Sequence, residues 1–285
     1  MSHYRPRGRA MFAQGDDASA KVVLYGMPYD GTTSFRPGTR FGPEGVRQAT
    51  YGLETYSPIQ DAELPLDAIT DMGDLDLPVS SVEAVLARIE EAVDAIDGRG
   101  QFPFGLGGEH LVTLGTIRSL ARRHKDLCIL QFDAHTDWRQ EFLGSSLSHA
   151  TVMKRCQDIL GPHSIFQFGI RSGTKEEFET ADFLSRSLEA LPRALEEIGS
   201  RPVFLTFDVD GFDPFEAPGT GTPEPGGFTW NDLEPYLAAF QGKMWVGADI
   251  VEVAPGLDLS GRTEVLAAKL LRELLIIFAR GTSPR

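Results

Sequence analysis

The chain has 285 residues, and 41 acidic against 27 basic side chains leave a formal net charge of −14 at pH 7. That field repels polyanions, which sets DNA and RNA aside as partners. With 41% hydrophobic and 24% charged residues the composition is that of a folded globule, and no run approaches the ~18 apolar residues of a membrane helix.

From the N-terminus, residues 1–20 carry arginines but lack the apolar core of about 7–15 residues that a secretory signal needs. They read as a flexible arm, and residues 21–285 read as one domain. Six short runs rich in β-branched and aromatic residues then predict strands: KVVLYG from Lys21, FPFGL from Phe102, CILQF from Cys128, SIFQFGI from Ser164, VFLTF from Val203 and MWVGA from Met244. Each is continuously apolar, as strands buried on both faces should be. Helical periodicity lies over residues 82–96, 111–123, 151–160, 188–198, 230–241 and 263–278. The alternation predicts an α/β fold with a mainly parallel sheet covered by helices on both faces. Cys128 and Cys156 give no disulfide framework and read as reduced residues of a cytoplasmic protein.

In open parallel sheets, ligands bind beyond the carboxyl ends of the strands. There the sequence places GGEH (107–110) after FPFGL, DAHTD (133–137) after CILQF, DVDGFDP (208–214) after VFLTF, and DIVEV (249–253) after MWVGA. Asp133, His135 and Asp137 are spaced i, i+2, i+4, which puts them on one side of an extended chain. Asp208 and Asp210 repeat the spacing, and His110 adds a second imidazole. Four carboxylates bare in one cleft would repel one another and stay partly protonated; two divalent cations would cancel their charge. Oxygen and imidazole donors without thiolate suit Mn²⁺, Fe²⁺ or Zn²⁺. Six ligands are too few for two separate shells, so bridging carboxylates are expected. Two such ions activate water, which points to hydrolysis. GxGxxG and the P-loop signature are absent.

Taken together, GTTSFRPGTRFGPEGVR, GLGGEHLVTLG, FDAHTDWR, LSHATV, FDVDGFDPFEAPGTGTPEPGG and DIVEVAP resemble the ureohydrolase (arginase/agmatinase) family over nearly the whole chain from Tyr25. The resemblance implies a three-layer αβα sandwich and two Mn²⁺ per chain, held by His110, Asp133, His135, Asp137, Asp208 and Asp210, with Asp133 and Asp208 bridging. It also implies catalytic roles for Asp137, His149 and Glu252: Asp137 passes a proton to the leaving amine, His149 shuttles protons, and Glu252 pairs with the substrate's guanidinium. A homo-oligomer, trimer or hexamer, is implied as well.

The substrate implied is a small cationic guanidino compound. WRQEFLG after DAHTD lacks the Asn- and Ser-bearing pattern of arginases, and RPGTRFGP looks agmatinase-like, so agmatine is the substrate expected, giving putrescine and urea. Guanidinobutyrate and arginine are the alternatives within the family, and a catalytically silent scaffold is the alternative outside enzymes. Arg139, a cation beside the metal loop, could hold a carboxylate such as guanidinobutyrate's; the preferred reading is that it turns outward to pair with Glu141.

Overall fold

The structure is a computed structural model and describes residues 4–5 and 8–281. In chain order the elements are β1 (Tyr4–Arg5), β2 (Val22–Met27), α1 (Gly42–Ala49), β3 (Tyr56–Ser57), β4 (Ala62–Glu63), β5 (Ile69–Leu75), α2 (Val82–Asp97), β6 (Phe102–Gly107), α3 (Val112–Arg123) and β7 (Cys128–Phe132). There follow α4 (Val152–Leu160), β8 (Ile165–Phe168), α5 (Lys175–Thr180), β9 (Phe183–Ser185), α6 (Leu191–Ile198), β10 (Pro202–Asp208), α7 (Trp230–Leu233), β11 (Met244–Val251) and α8 (Arg262–Gly281). Among the described residues nine strands form one sheet in the order β1-β5-β2-β6-β11-β10-β7-β8-β9. Every neighbouring pair is parallel except β1 with β5. β3 and β4 pair separately.

All six predicted strands are present, and their uninterrupted apolar runs have the reason inferred above: helices cover both faces. On one face α6, α7 and α8 bury Leu195, Leu233, Leu271 and Phe278 against Phe104, Phe132 and Phe207. On the other, α2, α3 and α4 bury Ile89, Ile117 and Met153 against Val23, Ile129 and Phe204. Three layers, αβα, result. The helix expected over 230–241 is split: α7 gives way to a 3-10 turn over Glu234–Phe240, because Pro235 cannot donate the hydrogen bond that would continue it.

Strand β5 escapes the sequence pattern because ITDMGDL carries two aspartates, which strands disfavour. Both are buried, and Arg47 of α1 pairs with each, its Nε lying 2.8 Å from Asp71 Oδ2. Part of the 1–20 segment is packed on this edge. Tyr4–Arg5 pairs with β5, Ala10 and Phe12 are buried, and the Ala10 amide donates to Asp71 Oδ2 at 2.9 Å. Among the described residues no helix is long and apolar enough to cross a membrane.

Candidate metal centre and active site

The four strands at the middle of the sheet, β6, β11, β10 and β7, are consecutive neighbours, and each releases one of the candidate motifs at its carboxyl end. His110 follows β6, Glu252 follows β11, Asp208 ends β10, and Asp133 follows β7. Parallel register therefore converts four motifs scattered over some 140 residues into one cluster. Gly108 allows the close approach at the exit of β6: a Cβ there would meet the Tyr29 carbonyl oxygen at 1.9 Å. Its own carbonyl accepts the Glu252 amide at 2.8 Å.

His110 Nδ1 lies 3.0 Å from Asp133 Oδ2, 3.1 Å from Asp137 Oδ2 and 3.5 Å from Asp208 Oδ2. His135 Nδ1 lies 3.0 Å from Asp210 Oδ2 and 3.6 Å from Asp133 Oδ1. Two donor groups emerge, His110–Asp133–Asp208 and Asp133–His135–Asp210, each with its ligand atoms within 4.8 Å of one another. Asp133 belongs to both, one oxygen toward each imidazole. The i, i+2, i+4 spacing works differently from a plain extended run. The chain leaves the sheet at Asp133, His135 bridges to Ser172, and Asp137 adopts φ 50°. Glu252 has φ 64°. Non-glycine residues at such angles cost on the order of 1–3 kcal/mol and concentrate at functional sites.

Burial and mutual repulsion shape the charges. Burial first, then Asp133, raises Asp137 to about 6. Asp208 is pushed well above the carboxylate range by burial, Asp210 and Asp133. Burial opposes a charge on His135, but Asp210 and Asp133 outweigh it and push the imidazole up to about 12. His110 Nδ1 and Asp210 Oδ2 are buried without a hydrogen-bond partner among the described residues. Buried imidazole and carboxylate atoms left without a partner inside a carboxylate cluster are suited to a cation, and the residue types fit a hard divalent ion.

A cavity of about 280 Å³ opens over this cluster, lined by Asp137, Asp208 and His135 together with His149, Glu252 and Arg139. His149 starts a 3-10 turn; its amide donates to Thr32 Oγ1 at 3.1 Å, and its Nε2 is 3.1 Å from Ser34 Oγ. Burial foremost lowers its pKa below the usual histidine value. Glu252 Oε1 accepts the His110 amide at 2.8 Å, and burial, then Glu109, raises its pKa well above the glutamate norm. Arg139 departs from expectation: it pairs with Glu177, Nε to Oε1 at 3.1 Å, and not with Glu141. Helix α5, which carries Glu177, is too short to leave a periodic signal.

Three supporting residues went unread in the sequence. Glu109, inside GGEH, is fully buried and accepts from the Thr32 amide at 2.8 Å and the Thr32 hydroxyl at 2.5 Å; it thus fixes the loop on which His149 leans. Gln131 Nε2 donates to Asp133 Oδ2 at 2.6 Å. Arg171 clamps the Asp208–Asp210 turn, donating to the Asp210 carbonyl at 2.6 Å and the Glu224 carbonyl at 2.7 Å. The buried acid in GGEH was the one available signal; the others sit in featureless sequence.

The family model described as Arginase family matches residues 20–277. The chain belongs to the arginase family. Its fold is that family's three-layer sandwich, and it is a ureohydrolase, an enzyme acting on amidines. An agmatinase of Bacillus anthracis is 45% identical over 90% of this chain and 91% of its own. A guanidinobutyrase of Pseudomonas aeruginosa is 35% identical over 90% of this chain and 86% of its own. The solved agmatine ureohydrolase of Thermoplasma volcanium superposes with a TM-score of 0.84 at 35% identity, covering 97% of this chain and 95% of that one.

Proposed function

We propose that the chain hydrolyses agmatine to putrescine and urea, a step of polyamine synthesis, with two Mn²⁺ held by His110, Asp133, His135, Asp137, Asp208 and Asp210. The observation that carries this reading is Asp133 standing in both donor groups, beneath a cavity that also presents Glu252 and His149. The agmatinase of B. anthracis at 45% identity supports agmatine over the other guanidino compounds. Two divalent cations in that position would polarise the guanidino carbon and lower the pKa of water toward about 7.

The protein's own groups do the rest. Glu252, with one oxygen taken by the His110 amide, offers the other to the forked edge of the guanidinium, a pairing that fixes both position and plane. Asp137, on the wall of the cavity, can take a proton from the attacking water and release it to the leaving nitrogen. His149, its pKa depressed by burial, is neutral at pH 7 and accepts protons at the mouth of the cavity. A cytoplasmic setting and a homo-oligomer, trimer or hexamer, belong to the same proposal. Urea release from agmatine, arginine and guanidinobutyrate after Mn²⁺ loading tests it: agmatine should be the best substrate, and a clear preference for either of the others would replace it.

A further inference from the structure

Two glutamines interrupt otherwise apolar strands: Gln131 in CILQF of β7 and Gln167 in IFQF of β8. Parallel register sets them side by side, and both are fully buried. With side chains alternating along each strand, they share a face with Ile129 and Ile165, where an unpaired amide is costly. Their hydrogen bonds run in one direction. The Thr136 carbonyl can only accept, so it takes the Gln167 nitrogen, Nε2, at 2.7 Å. The second hydrogen of that nitrogen goes to Gln131 Oε1, also at 2.7 Å. Gln131 is left with its own nitrogen toward Asp133, and donates to Oδ2 at 2.6 Å. Gln167 Oε1 is buried with no partner among the described residues. Turning that amide over would set oxygen against oxygen at Thr136, so one orphaned acceptor is the lesser cost.

We propose that the Gln131–Gln167 pair positions Asp133 as the ligand common to both donor groups. The proposal rests on the reading of the cluster as a two-cation centre. Each carboxylate oxygen offers about two lone-pair directions. On Asp133, Gln131 takes one at Oδ2, and the His135 amide takes one at Oδ1, at 2.6 Å. That fixes the rotation of the carboxylate, with Oδ2 toward the His110 imidazole at 3.0 Å and Oδ1 toward that of His135 at 3.6 Å. The His135 amide belongs to the loop, whereas Gln131 ties the carboxylate to the sheet. Gln167 touches no ligand side chain and acts through Gln131. The loop itself is secured elsewhere: the Thr136 amide donates to the Ser172 carbonyl at 3.2 Å, and the Ser172 amide to the Ala134 carbonyl at 2.9 Å.

The test measures the Mn²⁺ affinity of the full chain, by competition with a chelating dye, for wild type, Gln131→Met, Gln167→Met and the double variant. Methionine keeps the length of the side chain and removes its amide. Gln131→Met should weaken binding by about 10–100-fold, as losing the partner behind a metal ligand does, and Gln167→Met by about three- to tenfold. Adding Gln167→Met to Gln131→Met should change the affinity by less than about twofold, because the outer amide reaches Asp133 only through the inner one. Thermal melts of the metal-free proteins separate positioning from folding. The double variant strands no amide, so it should melt above Gln131→Met while binding Mn²⁺ no better. Affinity within twofold of wild type in Gln131→Met, full additivity in the double variant, or affinity losses that simply track the melting temperatures would each overturn the proposal. If Gln131→Met does not fold, Gln167→Met carries the test, and an affinity within twofold of wild type overturns it. A wild-type chain that takes up fewer than two ions would refute the two-cation reading and this proposal with it; two ions in the wild type with unaltered variants would overturn the proposal alone.

Discussion

Replacing Glu252 with Gln changes one atom and separates binding chemistry from folding. Glu252 Oε1 accepts the His110 amide at 2.8 Å. The glutamine carbonyl would keep that bond, and its –NH₂ would then replace the oxygen left for the substrate. A hydrogen bond to a charged group contributes about 1.5–3 kcal/mol, and a donor facing a donor in a buried site costs about 1–3 kcal/mol more. Together, about 2.5–6 kcal/mol corresponds to a fall in kcat/KM of roughly 60-fold to about 20,000-fold. Stability should move the other way. Burial and Glu109 raise the Glu252 pKa in the folded protein. Its folded-state pKa thus exceeds the unfolded one, so its ionisation weakens the fold as pH rises through the folded value. The neutral amide escapes that penalty, and metal-free Glu252→Gln should unfold at or above the wild-type temperature at pH 8. Steady-state urea release, metal analysis and a thermal melt decide it. A kcat/KM within threefold of wild type, or a loss of bound metal equal to the loss of activity, would refute the reasoning.

Asp133→Asn should leave fewer than one ion per chain after dialysis and abolish urea release, since both donor groups share that residue; retention of two ions would break the assignment. His149→Ala should lower kcat on the order of 100-fold with metal content unchanged. Burial depresses the His149 pKa, so the imidazole of the wild-type enzyme becomes protonated only below about pH 6.5, and that acidic limb should vanish from the variant's pH profile. An unaltered limb would assign it elsewhere. Thr32→Val removes a donor from buried Glu109 and the acceptor of the His149 amide. It should cost about 1–3 kcal/mol of stability and reduce turnover, whereas Thr32→Ser, which keeps the hydroxyl, should restore both; identical behaviour of the two would remove Thr32 from the positioning chain.

What was legible in the sequence follows from how far each feature acts along the chain. Central strands such as CILQF and VFLTF are apolar throughout because both faces are covered, so composition alone reports them. The motifs are legible because a parallel sheet sends every strand's carboxyl end the same way, which makes "the residues after each strand" a spatial statement. Strand β5 was hidden because Asp71 and Asp74 look like turn residues until Arg47, on another element, neutralises them. Arg139 has Glu141 two positions away and Glu177 38 positions away, and no local pattern reports that the distant carboxylate is the one it meets. Arg171 is similar: its acceptors include backbone carbonyls of a turn 39 residues further on, and a carbonyl leaves no trace in a sequence. The grouping of these histidines and aspartates was readable; the residues that hold them in place were not.

The proposed chemistry needs two cations acting together on one guanidino group. Its most direct test counts bound manganese and released urea in one preparation, titrating the metal-free protein with Mn²⁺ in the presence of agmatine. Urea release should rise with occupancy, reach its plateau at two ions per chain, disappear with a chelator and return on re-addition. Full activity at one ion per chain, or urea formation by the metal-free protein, would contradict the account.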